Sequence, residues 1–136
     1  MKKILLIDDD RELCEEIRDL LRAEKCHVVA AYDGSTAHQL IQKDDYSLLV
    51  LDLKIPGMNG FELLKIAKEK NRNLKVIILT GSPLFFQANK MPEKVRTHSP
   101  EEKRRLELAD KIINKPFDAE NFLNDVKSFI GRYKKA

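Results

Sequence analysis

The chain has 136 residues, 43% of them hydrophobic, which is enough for one compact domain with an ordinary core. Charged residues make up 35%, but 25 Lys and Arg against 22 Asp and Glu leave a net charge of only +3. The basic residues are scattered among acids, as in KRRLELAD, which excludes a nucleic-acid arm, and no apolar run is long enough to span a bilayer.

The N-terminal KKILLID is too short for a signal peptide, and acid follows at once. The two cysteines, Cys14 and Cys26, have no metal-ligand spacing and read as reduced thiols. The expected setting is cytoplasmic. The chain has no internal repeat and no low-complexity segment.

The elements follow in order. KILLID (3–8) is a strand that runs into three aspartates, Asp8, Asp9 and Asp10. Leu13, Ile17, Leu20 and Leu21 then share one helical face, and Asp10 can cap that helix. HVVAAY (27–32) is a second strand, and Ala37, Leu40 and Ile41 form a second helical stripe. SLLVLD (47–52) is a third strand, and Phe61, Leu64 and Ala67 begin a third helix. KVIILT (75–80) is the fourth strand. After it, GSPLFFQANKMPEKVRTH (81–98) has no sustained period and reads as a long loop over about 82–98, with one helical turn at Ser82–Gln87. SPEE predicts a helix over about 100–109, with Ser99 as N-cap, Pro100 in the first position and Glu102 completing a capping box. KIIN (111–114) is a fifth strand, and Phe122, Val126, Phe129 and Ile130 mark a last helix. Four of the strands are nearly continuous in Val, Ile and Leu, the mark of strands buried on both faces. The alternation predicts an α/β domain with a five-stranded parallel sheet and helices on both faces.

In an open parallel sheet, ligands gather at the carboxyl ends of the strands. Here the first strand ends in Asp8 and Asp9, the third in Asp52, the fourth in Thr80, and the fifth is followed by Lys115. Three carboxylates in one pocket need a compensating cation, and Mg²⁺ takes oxygen ligands while keeping water. Lys115 adds a positive charge and Thr80 a hydroxyl. The set suits phosphoryl transfer, with a carboxylate nucleophile, a metal and a cation for the phosphoryl oxygens. Each feature alone is bland: three aspartates after a strand usually make a solvated turn or a helix cap. All four at strand ends, in this order, are far more specific.

ILLIDDD, LLVLDLKIPGMNGFELL, IILTGSP and INKPF together resemble the four signature regions of response-regulator receiver domains, in the family's order and over nearly the whole chain. The resemblance implies a flavodoxin-like, doubly wound domain with strand order 2-1-3-4-5, phosphorylated from a sensor histidine kinase or a histidine phosphotransfer protein. It implies that Asp52 is the phosphoacceptor, Asp9 a direct ligand to Mg²⁺ (or Mn²⁺), Asp8 its neighbour acting through water, and the Lys54 backbone carbonyl a further ligand. Thr80 matches the hydroxyl that contacts the phosphoryl group, and Lys115 the lysine that pairs with it. The Lys115–Pro116 bond is expected to be cis. Ile55, Pro56 and Gly57 match the turn beside the acceptor, and Gly81 leaves the phosphoryl oxygens approachable. Lys54 and Ser82 stand where the family tunes phosphate lifetime. Asp10 has no role at the metal and remains the helix cap.

Two departures stand out. Ile112 occupies the place of the family's aromatic switch. The stretch from Thr80 to Lys115 is longer than usual, in the region that normally shapes the family's signalling face. Phe85 and Phe86 in that stretch either cover the pocket, form a partner surface or plug the core. His27, His38 and His98 show no ligand pattern.

The expected function is a single receiver domain over 1–136 with no output region in view, not a turnover enzyme beyond self-catalysed phosphorylation and slow autodephosphorylation. Its expected partners are the phosphodonor protein and a downstream protein or output domain. Neither nucleic acid nor membrane is expected as a direct partner, and the expected state is a monomer or a weak phosphorylation-linked homodimer. Two alternatives are a phosphorylation-independent interaction module on the same fold and a haloacid-dehalogenase-like phosphatase using Asp8-x-Asp10. The phosphatase lacks the further acidic pair such enzymes need.

Overall fold

The computed structural model describes residues 2–81 and 107–131. Five strands form one parallel sheet in the order β2-β1-β3-β4-β5: β1 (Lys2–Ile7), β2 (Cys26–Ala31), β3 (Leu48–Asp52), β4 (Lys75–Thr80) and β5 (Lys111–Asn114). The described helices are α1 (Arg11–Arg22), α2 (Gly34–Lys43), α3 (Gly60–Lys70) and α4 (Ala119–Ile130). All five strands fall where the hydrophobic runs predict them, and the strand order is the doubly wound one.

Successive side chains of a strand point to opposite faces, so two cores result. Ile4, Leu6, Leu48, Val50, Ile77 and Leu79 face α1 and α4, while Leu5, Ile7, Leu49, Leu51, Val76 and Ile78 face α2 and α3. Phe122 anchors α4 at 1% exposure, and burying a side chain of that kind stabilises by about 1.5–3 kcal/mol. Each helix begins at a polar cap. Asp10, Asp33, Asn59 and Asp118 accept backbone N–H groups from Leu13, Thr36, Phe61 and Asn121.

The third stripe is richer than expected: Leu63 is buried alongside Leu64 and Ala67, whereas Phe61 is only half-buried. The helix expected over about 100–109 lies mostly outside the described residues, as do the loop at 82–98, its helical turn, Phe85 and Phe86. The tail of that helix is corrected, because Glu107 and Leu108 form a turn. The reason is Asp110, whose N–H donates to Val76 O and whose carboxylate accepts the Val76 N–H, both at 2.8 Å, and this draws the chain into β5. Among the described residues, no helix is long and apolar enough to cross a membrane.

Candidate functional site

The register of the sheet sets the site. β1 and β3 pair through Ile7 and Leu51, so their next residues, Asp8 and Asp52, leave the sheet side by side. One carboxylate oxygen from each of Asp8, Asp9 and Asp52 falls in a cluster with all pairs within 4.8 Å. Asp8 is fully enclosed and Asp52 is 7% exposed, whereas Asp9 faces solvent.

Asp8 is fixed from four directions. Its N–H donates to Ala31 O (3.1 Å), its carbonyl accepts the Cys14 thiol (3.4 Å), Oδ1 accepts the Asp10 N–H (3.0 Å) and Oδ2 accepts Lys115 Nζ (2.8 Å). Asp52 Oδ1 accepts the Lys54 N–H (3.0 Å) and Oδ2 accepts Lys115 Nζ (3.2 Å). Lys115 directly follows β5, beside Thr80: its N–H donates to Thr80 O at 2.8 Å, and Thr80 pairs with Asn114 across the ladder. Thr80 is buried at the end of β4, next to the strand that carries Asp52. The Lys115–Pro116 bond is cis, as expected.

The electrostatics oppose an ionised Asp52. Burial raises its pKa, and the neighbouring Asp8 charge raises it further, against lowering by the Lys54 N–H and Lys115. For Lys115, burial disfavours the ammonium, but the hydrogen bonds and attraction of Asp8 and Asp52 outweigh it, so its pKa is raised. One ammonium cannot balance three carboxylates. The donor set is all oxygen, partly open to water through Asp9, and left with excess negative charge. It fits a hard divalent cation such as Mg²⁺ better than a soft or imidazole-seeking metal.

Asp8, Asp9, Asp52 and Lys115, predicted from three separate stretches, are thus brought together, and Thr80 and the Lys54 backbone lie against them. The Asp10 carboxylate turns away to cap α1, accepting the Leu13 N–H at 3.0 Å. That removes it as the acid of an Asp8-x-Asp10 phosphatase. His27 is exposed, and the His38 ring meets Gln42 at 3.5 Å, while Ser82 and His98 lie outside the described residues. Cys14 is buried, and its thiol pKa is pushed up to about 12 by burial, so it is an inert core thiol. Burial raises Cys26 in the same way.

Two features escaped the sequence reading. The Arg11 guanidinium stacks 4.0 Å from the centroid of the Tyr32 ring, tying the start of α1 to the end of β2 at the rim of the site. Gly34, at the start of α2, touches the loop that follows Asp52. Neither pair carries a signal in sequence, because each joins residues of different elements with no chemistry-bearing spacing.

A family model described as the response regulator receiver domain matches residues 4–93. Regulatory protein VanRB of Enterococcus faecalis is 31% identical over 130 residues, which are 96% of this chain and 53% of VanRB. The chain therefore spans about half the length of that relative. Response regulator receiver protein CpdR of Brucella abortus is 28% identical over 96% of this chain and 98% of its own. A CheY-like response regulator receiver domain from Methanospirillum hungatei superposes with a TM-score of 0.77 at 26% identity, over 96% of this chain and 94% of that one.

Proposed function

The chain belongs to the response regulator receiver domain family, the phosphoacceptor modules of two-component signalling, and on that premise we propose that Asp52 is its acceptor, phosphorylated in a Mg²⁺-dependent reaction. The observation that carries this reading is the cluster of Asp8, Asp9 and Asp52, with the ammonium of Lys115 bonded to Asp8 and Asp52. Asp9, Asp52 and the Lys54 carbonyl would hold Mg²⁺ (or Mn²⁺), with Asp8 acting through water. When bound, the cation favours the ionised form of Asp52 and neutralises charge on the transferring phosphoryl oxygens.

The chain's own residues do the rest. Asp52 contributes a carboxylate oxygen that bonds to phosphorus as the phosphorus–nitrogen bond of a phosphohistidine donor breaks. The electron pair leaves on the imidazole, which takes a proton from solvent. The Lys54 N–H and Lys115 orient the Asp52 carboxylate before transfer. Afterwards Lys115 pairs with the new phosphoryl charge, and the Thr80 hydroxyl donates to it. Residues 1–136 act as one receiver unit in the cytoplasm, with a sensor histidine kinase or phosphotransfer protein as donor and a protein partner as reader. Catalysis goes no further than this transfer and its slow hydrolysis. Ile112 pairs with Ile78 in the α2–α3 core, and an aliphatic side chain there gives the switch no aromatic rotamer to flip.

Incubation with acetyl phosphate and Mg²⁺ followed by intact-mass measurement tests the reading. The native protein gains one phosphoryl group and Asp52→Asn gains none. An adduct that survives in Asp52→Asn but is lost in Asp8→Asn would instead indicate a phosphatase of the Asp-x-Asp kind.

A further inference from the structure

The first turn of α2 meets the loop after Asp52 backbone against backbone. The Gly34 N–H donates to Pro56 O at 2.8 Å. A Cβ on Gly34 would fall 2.4 Å from Met58 N, 2.5 Å from Met58 Cβ and 2.7 Å from Met58 Cα. No real side chain tolerates such distances, and two of the three atoms are backbone, which cannot rotate aside. From the other side, Gly57 has φ +89°, in the left-handed region that favours glycine, and a Cβ there would lie 3.3 Å from Gly34 N.

The two ends of this contact have different supports. α2 is fixed: Asp33 Oδ1 accepts the Thr36 N–H at 2.8 Å, Oδ2 accepts the Thr36 hydroxyl at 3.1 Å, and Ala37 and Ile41 are buried in the core. The loop from Lys54 to Asn59 lies between Asp52 and α3 and is largely exposed, with Lys54, Pro56, Gly57 and Asn59 facing solvent. Ile55 and Met58 are half-buried against the α2–α3 core, so the chain takes its path here from that core's edge and from the backbone contact with α2. At its start, the Lys54 N–H holds Asp52 Oδ1 at 3.0 Å.

We propose that Gly34 is a positioning residue for the metal site: its missing side chain lets α2 seat the Lys54–Asn59 loop so that the Lys54 carbonyl and the Asp52 carboxylate face one cation together. This rests on the reading of the Lys54 carbonyl as a ligand. Any side chain at position 34 pushes the loop outward at Met58 and strains the hydrogen bond to Pro56. That moves Lys54 while leaving Asp8 and Asp9, which hang from β1, in place.

Calorimetric titration of Mg²⁺ into the full, unphosphorylated chain reads this geometry without needing phosphorylation. Gly34→Ala should weaken Mg²⁺ binding by about tenfold or more, the scale for residues that orient metal ligands. Its circular dichroism should stay native. Ala37→Gly, one turn along the same helix, should lower the melting temperature and leave Mg²⁺ affinity unchanged. Should Gly34→Ala fail to fold, Met58→Gly loosens the same contact from the loop side and should also weaken Mg²⁺ binding. Native affinity in a folded Gly34→Ala protein, or in Met58→Gly, overturns the inference. So does an equal loss in Ala37→Gly, which would trace the effect to helix stability. Gly34-dependent Mg²⁺ binding in a native protein that forms no phosphoryl adduct upholds the inference and sinks the phosphoacceptor reading.

Discussion

The two ends of the sheet hold similar charges and treat them in opposite ways. At the amino end, Lys3 pairs with Asp44 and lies 5.7 Å from the centroid of the Tyr46 ring. There Lys70 Nζ donates to Ile41 O (2.6 Å) and Asp44 O (2.7 Å) and sits 3.7 Å from Asp45. Both aspartates are exposed, and the hydrogen bond from Lys3 is the main cause holding the Asp44 carboxyl below its ordinary pKa. At the carboxyl end, Asp8 and Asp52 are buried and share the ammonium of Lys115, and Asp52 is held above the ordinary range, chiefly by burial. Exposed pairs of the first kind contribute little, while burying an ion costs several kcal/mol. The amino end closes a helix terminus. The carboxyl end keeps charge where it is disfavoured, which makes sense when a cation and a phosphoryl group complete it.

Substitutions can break this contrast. The largest expected effect is at Lys115. Lys115→Ala should slow phosphorylation by acetyl phosphate by roughly 10²-fold, as loss of one preorganised donor does. Mg²⁺ should bind at least as tightly, because a competing cation has left Asp8 and Asp52. Rate against Mg²⁺ concentration, measured by intact mass, separates the two effects. Next, Asp9→Asn should weaken Mg²⁺ binding by at least about tenfold in calorimetry. Asp44→Asn at the other end should leave it unchanged.

The smallest effect concerns stability without metal. Because the native pKa of Asp52 is raised, the folded state binds the extra proton between the ordinary aspartate value of 3.8 and the raised one. Stability therefore falls as pH rises through that window, and the penalty persists at neutral pH. Asp52→Asn removes it, so in a chelator the melting temperature at pH 7 should rise above that of the native protein. The gain should vanish below the window, where Asp52 is protonated. Added Mg²⁺ should reverse the order, stabilising the native protein more than the variant.

Most of the frame was legible because it rests on local signals. Strands buried on both faces leave continuous runs such as VIIL (76–79), and the strand ends then bring Asp8, Asp9, Asp52 and Lys115 together with no knowledge of contacts. Asp10 could be set apart from its neighbours because a helix face begins three residues on, and its carboxylate does cap Leu13. The seam between Gly34 and Met58 stayed hidden, since a glycine after a strand looks like any turn and only the folded path brings that loop against α2. The end of the predicted helix near Ala109 was misread because Asp110, whose backbone and side chain both bind Val76, looks in sequence like any exposed acid.

The central claim is the proposal that Asp52, clustered with Asp8 and Asp9 at the carboxyl end of the sheet, is the phosphoryl acceptor. Reductive trapping tests it directly: treat the protein with acetyl phosphate, reduce the acyl phosphate with borohydride to homoserine, and locate that residue by peptide mass spectrometry. Homoserine at position 52, formed only with Mg²⁺ present, is the expected result. Homoserine at 8, 9 or 44, or equal labelling in a chelator, would contradict it.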